Sequence, residues 1–287
     1  MSSLALLGGP SAVTGFSDAT RWPVWDETDR QALGSVLERG QWWMYGNFKE
    51  ATIGPKSSLV ETFEQAFAKM HGIRHGIAVN SGSSALEICM RAIGLRPGDE
   101  VITTPYTFIA TTSCILNHQA WPVYVDIDPE TYNLDPRQVE AAITPRTRAI
   151  LPVHFGGEIC DMDALNAIAA RHGLLVIEDA AHAHGAALAP SRHAGSLGLG
   201  GIFSFQESKN LTAGEGGLIL TNDDAFAEAC WSLRHYGRRR DGAWYAHYHL
   251  GWNGRMSEFT GSLLLNQLAR LPEQQERRSR NLDALIA

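Results

Sequence analysis

The chain has 287 residues, 44% of them hydrophobic and 19% charged, with a formal net charge of −7. That length suits one large α/β domain or two ordinary domains, and the hydrophobic share excludes wholesale disorder. The acidic balance argues against a nucleic-acid partner, since binding a phosphate backbone needs a basic face. Four cysteines, Cys89, Cys114, Cys160 and Cys230, stand far apart with no C-x-x-C pair. Each reads as a small buried hydrophobe rather than a zinc ligand or half of a disulfide. The first seven residues carry no basic region and make a poor signal peptide. No apolar run approaches the roughly 18–20 residues that cross a bilayer. A cytoplasmic protein is expected.

In chain order, the first fifty residues read as irregular and rich in Trp (Trp22, Trp25, Trp42, Trp43), an arm suited to covering another surface of the same core or of a second subunit. Leu59, Phe63, Phe67 and Met70 then recur at helical spacing up to Gly72. A strand at 77–79 leads through Asn80-Ser81-Gly82-Ser83-Ser84 into a helix. The alternation continues with strands at 100–103, 121–125, 149–153 and 174–177. Helices at 108–116, 136–143 and 161–172 separate them. Such alternation implies crossover units and a largely parallel sheet with helices on both faces, its ligand site along the strand-to-helix edge. Beyond Asp179 two strands, 202–205 and 217–220, are joined by a polar loop, so part of the sheet is expected to be antiparallel. Helices at 225–235 and 256–271 follow, then a separate charged helix over 273–287.

Three features could carry chemistry. Lysine is scarce: only Lys49, Lys56, Lys69 and Lys209 occur, and Lys209 leaves an apolar strand in Ser204-Phe205-Gln206-Glu207-Ser208-Lys209-Asn210. Arginine cannot replace lysine where a neutral amine attacks a carbonyl, so Lys209 is readable as a Schiff-base lysine or as an exposed turn residue. Glu178 and Asp179 end an apolar strand where α/β ligands bind, and one of them could pair with a protonated ring nitrogen, a metal, an Arg or a helix cap. His182 and His184 follow, but H-E-x-x-H is missing and no metal is expected. Ser81-Gly82-Ser83-Ser84 at a helix N-terminus offers free N–H groups for a phosphate, or a plain N-cap. Walker and Rossmann glycine patterns are both missing, which disfavours a nicotinamide dehydrogenase. Phosphate cradle, aromatic loop, strand-end acid and single lysine, in that order, describe a site for pyridoxal 5′-phosphate (PLP).

With those motifs the sequence resembles the DegT/DnrJ/StrS group of fold-type-I PLP enzymes, the sugar and cyclitol aminotransferases. The resemblance is carried by Ser81-Gly82-Ser83-Ser84-Ala85-Leu86, by Thr104 to Thr111, by Val125-Asp126-Ile127-Asp128 with Tyr132-Asn133-Leu134-Asp135, by Glu178-Asp179-Ala180-Ala181-His182, and by the Lys209 segment with its glycine run. It implies an irregular arm over 1–56, a PLP-binding large α/β domain over 57–271 with a mostly parallel mixed sheet, and the start of a linking helix over 272–287. Beyond that helix, full-length members carry a smaller C-terminal domain that this chain is expected to lack.

Carried over by position, Lys209 would bind the cofactor's aldehyde and shuttle protons, and Asp179 would pair with the pyridinium nitrogen. Phe108 would stack on the ring and His182 would lie near its phenolic oxygen. Ser83, Ser84 and Ser204 would hold the phosphate. Asn253, in Gly251-Trp252-Asn253-Gly254-Arg255-Met256, would reach the phosphate of the neighbouring subunit of a homodimer. The run Arg238-Arg239-Arg240 either lines that site or is a solvated loop. The implied reaction moves an amino group from glutamate or glutamine to a ketone of a sugar nucleotide or cyclitol, in secondary-metabolite or surface-sugar biosynthesis. The alternative is a truncated, catalytically idle homologue that binds cofactor or a partner.

Overall fold

The computed structural model describes residues 9–10, 22–44 and 58–286. The first seven residues, Lys49 and Lys56 lie outside them. The helices are α1 (Glu27–Arg39), α2 (Leu59–Met70), α3 (Gly82–Ala92), α4 (Ile109–Leu116), α5 (Pro136–Val139), α6 (Met162–His172), α7 (Asp224–Arg234) and α8 (Glu258–Ile286). The strands are β1 (His75–Val79), β2 (Glu100–Thr103), β3 (Trp121–Tyr124), β4 (Thr147–Ile150), β5 (Leu175–Asp179), β6 (Ala187–Ala189), β7 (Arg192–His193), β8 (Gly200–Ser204) and β9 (Gly217–Thr221). Seven strands form one sheet in the order β1-β9-β8-β5-β4-β2-β3, with β6 and β7 a separate hairpin. Every adjacent pair in the large sheet is parallel except those that β9 makes with β1 and β8. The expected mixed, mostly parallel sheet is therefore present, and its antiparallel part is the one strand that returns after the Lys209 loop.

Burial on both faces follows from the two-residue period of a strand. Ile202 and Ile219 face a core layer shared with α3, α4 and α7. Phe203, Leu218 and Leu220 face the opposite layer, with Phe63 and Phe67 of α2 and Leu264 of α8. All four cysteines are buried and unpaired, as small core residues. Among the described residues no helix is long and apolar enough to cross a membrane.

The elements depart from the sequence reading in three places. The arm expected to be irregular contains α1, started by a capping box in which Asp26 accepts from N–H groups of the first turn while Asp29 accepts from the Asp26 N–H. Its apolar stripe is thin, with only Val36 among its hydrophobic residues buried, so periodicity gave little signal. The helix expected over 136–143 is one turn, α5, continued by a 3₁₀ turn at Glu140–Ala142. The two helices expected on either side of Pro272 are one helix, α8, with Pro272 inside it. Proline there deletes one backbone hydrogen bond, but α8 is anchored upstream by packing on α1 and α2.

The buried Glu178 carboxylate holds the sheet's functional edge together. It is 0% exposed and accepts from the backbone N–H groups of Gly195 (2.8 Å), Leu197 (2.6 Å) and Gly198 (2.6 Å) and from His154 Nε2 (2.8 Å). The Cys160 N–H donates to His154 Nδ1, so the imidazole proton sits on Nε2 and points at Glu178. Replacing Glu178 by Gln sets an amide donor against one of these donor pairs. A loss of about 3 kcal/mol is expected for Glu178→Gln, read as a lower urea midpoint at unchanged slope.

Candidate active site

Residue alternation along β5 separates its two terminal acids. Glu178 points into the packed layer, whereas Asp179 opens on a cavity of about 530 Å³ at the C-terminal edge of the sheet. The Thr111 hydroxyl donates to Asp179 Oδ2 (2.8 Å) and the Ala181 N–H donates to Oδ1 (3.2 Å). Thr107 and Thr111, one helical turn apart, are hydroxyl-to-hydroxyl at 2.8 Å. Because Thr111 gives its proton to Asp179, Thr107 must donate to Thr111. The carboxylate is thus aimed by a relay of two hydroxyls and a backbone N–H.

The cavity floor is the N-terminus of α3. Ser81 caps it, its Oγ accepting from the Ser84 N–H at 3.1 Å. Gly82 is required there: a Cβ would stand 2.7 Å from Ser204 Cβ, so only glycine lets β8 bring Ser204 against the helix start. Gly217 does the same from the neighbouring strand, where a Cβ would meet Ser81 O at 2.4 Å. The result is a lip of hydroxyls around the Gly82 and Ser83 N–H groups, which have no partner among the described residues, a setting that favours an anion.

Lys209 enters from the loop between β8 and β9. That loop is a short ladder, with Phe205 N–H donating to Gly216 O (2.9 Å), Glu207 N–H to Gly214 O (3.0 Å) and Lys209 N–H to Gln206 O (2.9 Å). The Trp22 indole N–H donates to Glu207 O (2.7 Å), so the described part of the Trp-rich arm braces the lysine loop of its own chain. Burial lowers the Lys209 pKa below the usual 10.5, against the upward pull of the Asp179 charge. His182 is also pushed down, by burial first and then by Lys209, with Asp179 opposing. Phe108 stands at the cavity wall as the residue before α4, 69% exposed.

Six of the eight residues singled out from sequence therefore line one cavity: Ser83, Phe108, Asp179, His182, Ser204 and Lys209. Ser84 does not line it. Its hydroxyl meets Ser81 Oγ at 3.1 Å and faces an adjoining depression. Asn253 also lies outside this chain's cavity, exposed and bridged to His235. His184 is buried against Phe203 and Phe205, with its pKa pushed to about 3 by burial, and takes no part in the site. The Arg238–Arg240 run is stacked on aromatic rings, Arg238 on Trp244 at 3.8 Å, Arg239 on Tyr248 at 4.4 Å and Arg240 on Trp231 at 4.7 Å. Thr107, Thr111, Gln206, Ser208 and Glu215 also line the cavity and were not singled out from sequence. The four-residue spacing of Thr107 and Thr111 at a helix start was the available signal.

The sequence profile of the DegT/DnrJ/EryC1/StrS aminotransferase family matches residues 25–287. The chain is 43% identical over 255 residues to 3-amino-5-hydroxybenzoate synthase of Amycolatopsis mediterranei strain S699, covering 88% of this chain and 63% of that protein. It is 40% identical over 300 residues to L-glutamine:2-deoxy-scyllo-inosose aminotransferase of Streptomyces paromomycinus, covering 99% and 68%. A crystal structure of 3-amino-5-hydroxybenzoic acid synthase superposes with a TM-score of 0.83 at 42% identity, over 91% of this chain and 65% of that one. The chain thus spans about two thirds of the length of these relatives. On the matched profile, the shared sheet and the identity across nearly its whole length, the chain belongs to the DegT/DnrJ/EryC1/StrS aminotransferase family.

Proposed function

We propose that the chain binds PLP in this cavity and serves transfer of an amino group from glutamine or glutamate to a ketone of a cyclitol or sugar nucleotide. The observation that carries the reading is the placement of Lys209 and Asp179 on one cavity wall set, with the α3 N-terminus as its floor. The donor set fits the cofactor. A cradle that a single Cβ at Gly82 would fill suits its phosphate, Asp179 suits a protonated ring nitrogen, and Lys209 suits its aldehyde. Ser83 and Ser204 would hold the phosphate, Phe108 would cover a ring face and His182 would face the ring's edge. When bound, PLP supplies an electron sink that loosens the bonds at an amino-bearing carbon.

The protein's own contribution is positional and electrostatic. Asp179, fixed by Thr111 and the Ala181 N–H, keeps a negative charge at the ring-nitrogen end of the cavity. Burial lowers the Lys209 pKa below the ordinary lysine range, so Nζ gives up its proton more readily and can act as a base. The relatives' names support the choice of substrates: one is an L-glutamine:2-deoxy-scyllo-inosose aminotransferase, and one is a spore coat polysaccharide biosynthesis protein. A homodimer in which Asn253 serves the partner's phosphate, and a cytoplasmic location, belong to the same reading.

Borohydride reduction of the chain in the presence of PLP is expected to label Lys209 alone by peptide mass mapping. Lys209→Ala should fold and remain unlabelled; label distributed over Lys69 or the other lysines would reject the assignment. The coupling to Asp179 gives a second expectation with a definite sign. The Asp179 charge raises the Lys209 pKa, so Asp179→Asn should lower it further and make Nζ neutral at lower pH. Without cofactor, the pH midpoint for reductive methylation of Lys209 should fall below 10.5 in the parent and lower again in Asp179→Asn. A midpoint that rises in the variant would contradict the coupling.

A further inference from the structure

Asp179 is held in the cavity wall by its backbone on both sides. Its N–H donates to Pro152 O (2.9 Å) and its carbonyl accepts from the His154 N–H (3.0 Å). The strand end therefore fixes where the carboxyl group hangs but not how its plane is turned, because the last torsion of an aspartate is soft. That torsion is set by two donors on different oxygens, the Thr111 hydroxyl on Oδ2 (2.8 Å) and the Ala181 N–H on Oδ1 (3.2 Å). The Ala181 bond is local, two residues along the chain. Among the described residues, Thr111 is the sole side chain that hydrogen-bonds the carboxylate, and it comes from another element, α4. With one donor on each oxygen, each keeps a lone pair for a ligand.

No nearby cation shares that work. Burial, and then the Asp179 charge, push the Cys114 thiol of α4 up. Burial also keeps His182 below its ordinary range, so neither group supplies a positive charge. Lys209 acts on Asp179 through charge alone. Lys209 in turn shares the cavity lining with Asp179, His182 and Glu215, and its charge is felt by the buried His184. The first turn of α4 is arranged to deliver the one hydroxyl that matters. Thr111 is fully buried, its N–H donates to Phe108 O (3.1 Å), and Cys114 Sγ donates to its carbonyl (3.2 Å). Its Oγ1 takes the proton of Thr107 Oγ1 at 2.8 Å, and a hydroxyl that accepts one hydrogen bond donates a stronger one.

We propose that Thr111 is the positioning residue for the cofactor's ring nitrogen: by fixing the plane of the Asp179 carboxylate it decides whether that nitrogen keeps its proton, and Thr107 strengthens its hold. The inference rests on the PLP reading and adds the two hydroxyls on which the acid's role depends. A carboxylate free to turn about its last torsion loses the alignment of a charge-assisted bond, and the ring nitrogen then releases its proton more easily. Phe108, the ring-face cover in the same reading, belongs to the same turn, so one turn of α4 holds both the face and the nitrogen end of the ring.

The test is an absorbance titration against pH of the PLP-loaded chain, read beside its affinity for PLP. A protonated ring nitrogen is a positive charge that makes the nitrogen joining Lys209 to the cofactor easier to deprotonate. Thr111→Val should therefore move the colour midpoint upward by about 0.5–1 pH unit and weaken PLP binding by about 3- to 10-fold. Thr111→Ser, which restores the donor, should return both to near the parent values, and Thr107→Val should shift the midpoint upward by less. Without cofactor, the midpoint for reductive methylation of Lys209 should stay at the parent value in Thr111→Val, because the acid keeps its charge there. An unmoved or lowered colour midpoint in Thr111→Val, a serine variant that behaves like the valine one, or a methylation midpoint that falls as in Asp179→Asn would each overturn the proposal and leave the PLP reading intact. If Thr111→Val does not fold, Thr107→Val decides, and an unmoved midpoint there overturns the proposal. A parent that takes up no PLP would overturn the PLP reading, and this proposal with it.

Discussion

The site depends on one buried charge that takes no part in its chemistry. Glu178 gathers three backbone N–H groups from residues 195–198 and the His154 side chain. That carboxylate therefore joins the end of β5, the turn leading into β8 and the segment leaving β4. β8 carries Ser204 and runs on into the loop that presents Lys209, so the lysine is placed by a residue on the opposite side of the sheet. A buried carboxylate with four donors is stable only while every donor stays in place, and this all-or-none character makes the edge rigid.

Polar groups in the chain divide between those consumed by the fold and those left for a ligand. Glu258 is spent on the α2 N-terminus, where it accepts from the Leu59 N–H at 2.8 Å and from Ser58. Arg234, also buried, is spent on Glu64 and on Ala78 O. Asp179 is intermediate: Thr111 and the Ala181 N–H orient it but provide no countercharge, so it faces the cavity as an uncompensated acid apart from the distant pull of Lys209. The arginines after α7 stack on aromatic faces, and Arg240 also pairs with Glu228, which lets three adjacent cations coexist on one loop.

Much of this was legible in the sequence because it is local. The alternation of apolar strands with helices gave the parallel block, and the Lys209 segment, the Ser81–Ser84 turn and the acid at 179 each lie at a strand end, where topology alone brings them together. Less legible was anything decided by a long-range partner. Nothing near Glu178 in sequence says that residues 195–198 will deliver three N–H groups to it, so residue chemistry alone could not split the pair Glu178-Asp179, and only the family resemblance chose Asp179. Ser84 stands apart from the cavity for a similar reason: one residue of helical rotation turns its hydroxyl back to Ser81. α1 was hidden by its thin apolar stripe, although Asp26 and Asp29 spelled its capping box. Pro272 was read as a boundary because proline is a local signal, whereas the packing that carries α8 through it is not.

The scarcity of lysine and its half-buried placement answer a single electrostatic requirement. An amine that must give up its proton more readily than an ordinary lysine cannot sit in open water, where it stays cationic, and an amine sealed in the core could not be reached. The loop between β8 and β9 resolves this by placing Lys209 half-buried on the cavity lining. Burial lowers its pKa, and the acid across the cavity limits how far. Asp179 ends β5, whereas the anion floor is the α3 start, held against Ser204 of β8 and Gly217 of β9, so acid and floor are carried by different strands. Sheet order, rather than any single side chain, sets the spacing of charges on which the proposed chemistry relies.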